Sequence, residues 1–179
     1  MRVASTVLLA FLSASAAVAA TDEVVLDFAP AADGAKYKEA LVALIRKSDR
    51  IVVTEHSDPF DLFDAVAGES EIAEPIVYGE HELTVAQQEF FSTTIESLDP
   101  KTQDAFSSCI PSVHHTFYFY NNDQLTDKIE VCFQCSQVIW PSTKVVPPWS
   151  LYPGLKRVLV AFGLEPKRDW PKLARESLK

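Results

Sequence analysis

All three cysteines of this chain, Cys109, Cys132 and Cys135, and two of its four histidines, His114 and His115, fall on one stretch that reads as a β-hairpin. Three chemistries suit that set. A disulfide from Cys109 to either Cys132 or Cys135 would staple the open end of the hairpin and leave one odd thiol. Three thiolates and one imidazole, from Cys109, Cys132, Cys135 and His115 with His114 as the alternate ligand, match the donors of a closed structural zinc site. Thiol–disulfide exchange by Cys132-Phe133-Gln134-Cys135 is the third. A thioredoxin-like first cysteine sits at a helix N-terminus, where the dipole favours the thiolate. Here Ser136 to Trp140 reads as extended and ends at Pro141. The disulfide is therefore expected first, the metal second and redox chemistry third.

The hairpin must bring these groups together. Val113 to Tyr120 is aromatic and β-favouring, Asn121-Asn122-Asp123-Gln124 supplies turn residues, and Leu125 to Phe133 resumes the strand pattern. A turn centred on Asn122-Asp123 sets Tyr120 opposite Leu125, Val113 opposite Cys132 and Ile110 opposite Cys135. In that register His115 shares the Cys132 face and His114 points to the other side; a slip of one residue reverses the choice.

The remaining elements follow from periodicity and punctuation. After a loose start from Thr21 to Gly34, Tyr37, Leu41, Leu44 and Ile45 form one helical stripe that stops near Ser48-Asp49. Arg50 to Glu55 is a β-branched strand. Asp58-Pro59-Phe60-Asp61 opens a helix to about Ala67, ended by Gly68. Asp58, Asp61, Asp64 and His56 could be taken for a metal cluster, but acids three apart more often mark a helix start with a wet face. Ile76-Val77-Tyr78 is a short strand candidate, and His81, between Glu80 and Glu82, reads as a solvated surface residue. Thr84 and Gln87 have capping-box spacing and open a helix to about Leu98, with Phe91, Ile95 and Leu98 buried. Val138-Ile139-Trp140 is a third strand near the hairpin. Ser150 opens a last helix with Leu155, Val158, Leu159 and Phe162 on its stripe and Gly163 at its end, and Trp170 and a charged tail lie beyond. The expected class is α+β: a small, mainly antiparallel sheet with a hairpin in the C-terminal half, covered by several helices.

Arg2, an apolar run from Val3 to Leu12, and small residues from Ser13 to Ala20 have the three parts of a secretory signal peptide. The expected organisation is a signal peptide over 1–20 and one α+β domain over 21–179, about 160 residues once cleaved. The apolar run is too short to span a bilayer, so the mature protein is expected to be soluble, in the periplasm or secreted. The chain has 16 basic and 25 acidic residues, a net charge of −9. Such a surface repels nucleic acid and anionic lipid, and suits a basic protein partner.

Cys109-Ile110-Pro111 followed by His114-His115, then Cys132-Phe133-Gln134-Cys135, resembles a pattern in small uncharacterised exported bacterial proteins in which Cys-x-Pro-x-x-His precedes Cys-Phe-x-Cys. The resemblance implies that Cys109, His115, Cys132 and Cys135 form one site in an exported protein, and it implies no reaction. The chain has no Gly-x-Ser-x-Gly, phosphate-cradling glycine loop or His-Glu-x-x-His. A hydrolase with Cys109 as nucleophile and His114 or His115 as base lacks an identifiable third group, so enzymatic activity is not supported. The alternative to a structural cluster as the main feature is an acidic inhibitor or immunity-type binding module. Its aromatic residues in or near loops are Tyr118, Tyr120, Trp140, Trp149 and Trp170, of which Trp149 and Trp170 are expected to pack loops onto the core.

Overall fold

Tyr37, Leu41, Leu44 and Ile45 lie on one buried face of α1 (Ala32–Lys47), as their spacing predicts. In the computed structural model, which describes residues 32–62, 74–102 and 108–178, this helix begins ahead of its stripe, so Gly34 falls inside its first turn. Gly34 meets the Asp99-Pro100 turn so closely that an added Cβ would stand 1.8 Å from the Pro100 carbonyl oxygen. Glycine there lets two backbones touch.

β1 (Arg50–His56) follows directly and leads into the short α2 (Pro59–Leu62). β2 (Val77–Glu82) runs longer than the three residues expected and carries Gly79 and His81 within it. α3 (Val85–Glu96) is closed at its start by the expected capping box of Thr84 and Gln87. β3 (His115–Asn121) and β4 (Gln124–Cys132) form the hairpin, and β5 (Gln137–Ile139) pairs back on β4. α4 (Leu151–Ala161) ends at Gly163, whose φ of +80° suits glycine. The segment expected to be a charged tail is a further helix, α5 (Trp170–Ser177), capped by Asp169.

The sheet order is β2-β1-β3-β4-β5, with every neighbouring pair antiparallel. The class is α+β. One sheet face carries Ile51, Val53, Phe117, Phe119, Ile129 and Val131, and α1, α3 and α4 press their apolar stripes onto it to make the core. Tyr118 and Tyr120 stand on the opposite face, half-buried, with Arg50 stacked 3.9 Å above the Tyr120 ring.

The hairpin register departs from the straight one. Asn122 and Asp123 take positive φ (51° and 57°), as a two-residue primed turn requires, and Tyr120 pairs with Leu125 as expected. The register then shifts between Phe119 and Tyr120, so Phe119 pairs with Asp127, Phe117 with Ile129 and His115 with Val131. Thr126 is the extra residue, and its hydroxyl donates to the Phe119 carbonyl at 3.0 Å. Beyond this bulge, His115 shares the face of Val131 rather than that of Cys132. The export signal expected over 1–20, the end of the second helix near Gly68, and Asp64 lie outside the described residues. Among the described residues no helix is long and apolar enough to cross a membrane.

Candidate functional site

Where β1 ends beside the entry to β3, the chain buries an unusual number of polar side chains. Glu55, Asp58, Asp61, His114, His115 and Thr116 are each no more than 7% exposed. Burying such groups is costly unless each finds a partner; all of them but His115 are hydrogen-bonded, and they fall in three sets.

His56 is the outermost. Its Nδ1 lies 3.0 Å from the Ser57 carbonyl, which can only accept, so Nδ1 carries the proton. Its Nε2 then accepts from the Thr116 hydroxyl at 2.8 Å. This fixes the tautomer and ties β1 to β3.

The second set is built on the acids at the start of α2. Asp58 accepts from the N–H of Phe60 at 3.0 Å and from that of Val113 at 2.9 Å. Asp61 accepts from the Asp58 N–H at 2.8 Å and from His114 Nε2 at 2.9 Å. The helix start was expected to be wet; instead both acids are buried, because the segment entering β3 folds onto them. The His114 ring stacks on Trp170, centroids 4.5 Å apart and 7° from parallel. Burial holds His114 below the usual histidine range, against the pull of Asp61 toward the charged form.

Glu55 organises the third set. Its carboxylate accepts from the Glu165 N–H at 3.2 Å and from Arg168 at 3.0 Å, closing the segment after α4 over the end of β1. His115 Nε2 lies 3.5 Å from Glu55, outside hydrogen-bond alignment, and neither ring nitrogen of His115 makes a hydrogen bond. The His115 ring 3.5 Å away, together with the Glu165 N–H and Arg168, holds the Glu55 carboxyl below the usual range, against the effect of burial. Phe133 and Trp170 meet the His115 ring edge to face, at 5.3 and 5.5 Å. Trp170 therefore touches both adjacent histidines.

The thiols lie alongside. Cys109 and Cys135 form a disulfide, with Cα atoms 5.7 Å apart, and it closes the open end of the hairpin. Gln137 holds the Cys109 segment by donating to its carbonyl at 3.1 Å. Cys132 is the free cysteine, 1% exposed, and its sulfur accepts the Cys135 N–H at 3.3 Å. Of the four ligands expected for zinc, Cys109 and Cys135 are thus joined to each other, while His115 faces Glu55. The alternate ligand His114 faces Asp61. Among the described residues no group of three or more His, Cys, Asp and Glu side chains could hold a metal ion.

The other expected residues divide. Trp140 is buried and donates to Asp127 at 2.9 Å. Trp170 packs as expected, whereas Trp149 is 60% exposed, its loop being held by a backbone bond from its N–H to the Lys101 carbonyl rather than by its ring. His81 is half-buried, stacked on Phe162 at 5.8 Å and 3.0 Å from Gln87, because β2 lays it against the end of α4. A groove of about 560 Å³ runs between α1 and α3 over Ala35, Val42, Ala43 and Pro100, away from the cysteines and from His114 and His115.

Reading the sequence missed Glu55, Arg168 and Trp170 as members of this cluster. Glu55 had a signal: it is the next inward position on a strand whose earlier ones, Ile51 and Val53, are apolar, so alternation aims it at the core. No protein-family model, curated protein or solved structure matches this chain.

Proposed function

We propose that this chain is an exported protein whose cysteine and histidine cluster is scaffold, and that it works by binding a basic protein partner through its acidic surface. The observation that carries the reading is the Cys109–Cys135 disulfide across the hairpin mouth. Disulfides persist in oxidising compartments and are rare in reducing ones. The histidines support the same reading, since His56 and His114 are bonded within the chain and His115 is enclosed by Glu55, Phe133 and Trp170. For the partner, the support is the net charge of −9 and the exposure of Glu80 and Glu82 on β2, an edge strand.

Intact mass after alkylation in denaturant tests the scaffold. One alkylated thiol before reduction and three after it are expected for protein made in an oxidising compartment. Three free thiols together with a native mass excess of one zinc would overturn the reading in favour of a metal site. For the partner, binding to immobilised poly-lysine is expected at low salt, to weaken as salt rises, and to fall on Glu80→Lys with Glu82→Lys. Binding unchanged by that pair would remove the β2 edge from the contact.

A further inference from the structure

We propose that β2 takes up an extended basic segment of the partner as a further strand of the sheet, an inference that rests on the acidic-surface reading above and names what that surface holds. The sheet has two edges. β5 offers three residues and stops short of Pro141, whereas β2 offers six. The pairing with β1 settles which backbone groups β2 leaves over. Leu83, just past the strand, donates its N–H to the Ile51 carbonyl at 2.9 Å, and His81 and Gly79 stand opposite Val53 and Glu55. Bonded and unbonded pairs alternate along an antiparallel ladder, so Leu83, His81 and Gly79 bond to β1. Glu80 and Glu82, opposite Thr54 and Val52, therefore turn their N–H and C=O groups to the open edge. Among the described residues no other group bonds to them.

The side chains along this edge select the occupant. Glu80 and Glu82 are exposed on the sheet face away from the helices. His81 points to the helix layer and stacks on Phe162, which in turn meets Phe90, 41% exposed, with ring centroids 6.3 Å apart. An added strand would thus set one of its faces against two acids and the other toward apolar rings. The segment that fits alternates basic and apolar residues and gains affinity through its backbone. A second copy of this chain fits badly, because antiparallel pairing about His81 would set Glu80 against Glu82. The edge is already ordered: Tyr78 stacks on Trp170, and Gln87 lies 3.0 Å from His81. Binding therefore orders the incoming segment alone.

Fluorescently labelled Lys-Val-Lys-Val-Lys-Val is the probe, titrated with the full chain. With its lysines opposite Glu80 and Glu82, the lysine backbone N–H groups face β2 and the valine ones face away. Methylating the lysine backbone nitrogens is expected to weaken binding about tenfold or more, and methylating the valine nitrogens to change it less than about twofold. All three peptides carry the same charge. The unmethylated peptide is also expected to slow amide hydrogen exchange at Glu80 and Glu82 about tenfold, leaving His81 unchanged. Equal binding of the two methylated peptides, or unchanged exchange at Glu80 and Glu82, would overturn strand addition and leave the acidic-surface contact standing. Binding of poly-lysine but of none of the peptides would do the same. Failure of poly-lysine and all three peptides together would overturn the surface reading, and strand addition with it.

Discussion

Asp61 accepts from both the Asp58 N–H and His114, so it serves two buried donors from one position. Asp61→Ala leaves both without a partner, and at about 1–3 kcal/mol for a stranded buried group the expected loss is near 3 kcal/mol by urea unfolding. Asp61→Asn keeps the shape and one acceptor oxygen and is expected to cost less than half as much. A loss equal in both variants would mean that the charge, rather than the hydrogen bonds, carries the site. The same residues make stability fall in acid. His114 is held below its ordinary value of 6.5, so the unfolded chain binds the proton more readily than the folded one. That contribution is complete above pH 6.5 and is lost as pH falls toward the lower folded value. Glu55, held below its ordinary 4.5, adds a second and more acidic loss of the same sign. Unfolding free energy measured against pH is expected to decline in both windows, with His114→Gln removing the first decline only.

Helix α1 meets the turn after α3 at Gly34 more tightly than any side chain allows. Alanine improves a helix interior by about 1 kcal/mol, but here its methyl group would overlap the Pro100 carbonyl. Gly34→Ala is therefore expected to destabilise by about 2–3 kcal/mol despite the better propensity, as overpacking does; a raised melting temperature would contradict this packing. Such contacts are invisible in a sequence, because Gly34 gains its meaning from Pro100, which the helix period does not reach. The elements themselves were mostly legible. The capping box at Thr84, the turn at Asn122-Asp123 and the stripe closing at Gly163 each have local causes, and each stands where those causes place it. α5 was missed because its stripe is short: Trp170 and Ala174 are its only buried residues. The bulge at Thr126 could have been derived. A straight register from the turn sets Phe117 opposite Lys128, whereas a shift by one residue gathers Phe117, Phe119, Ile129 and Val131 on one face. The straight register places His115 on the Cys132 face, and the bulge moves it to the face of Val131. The pairings of Glu55 with Arg168 and of His114 with Asp61 join positions 113 and 53 residues apart, and nothing local announces either.

Across the molecule, the disulfide ties the entry to β3 to the turn beyond β4 over a separation of 26 residues. Closing a loop of that length constrains the unfolded chain by about 3 kcal/mol. Cys109→Ser with Cys135→Ser is expected to lower unfolding stability by that order while leaving the far-ultraviolet spectrum unchanged, because β3 and β4 pair through their own turn. A collapse of the spectrum would mean that the hairpin depends on its staple.

Glu165, Arg168 and Trp170 close over Glu55, His114 and His115, and all three follow that cluster in the order of synthesis. Synthesis runs from the N-terminus, so β1 is made well before the residues that cover Glu55. Until then that end of the sheet stays wet, its acids and imidazoles hydrated. Completion of this sheet end therefore waits on the segment after α4, and a chain cut before Glu165 would leave Glu55, His114 and His115 uncovered.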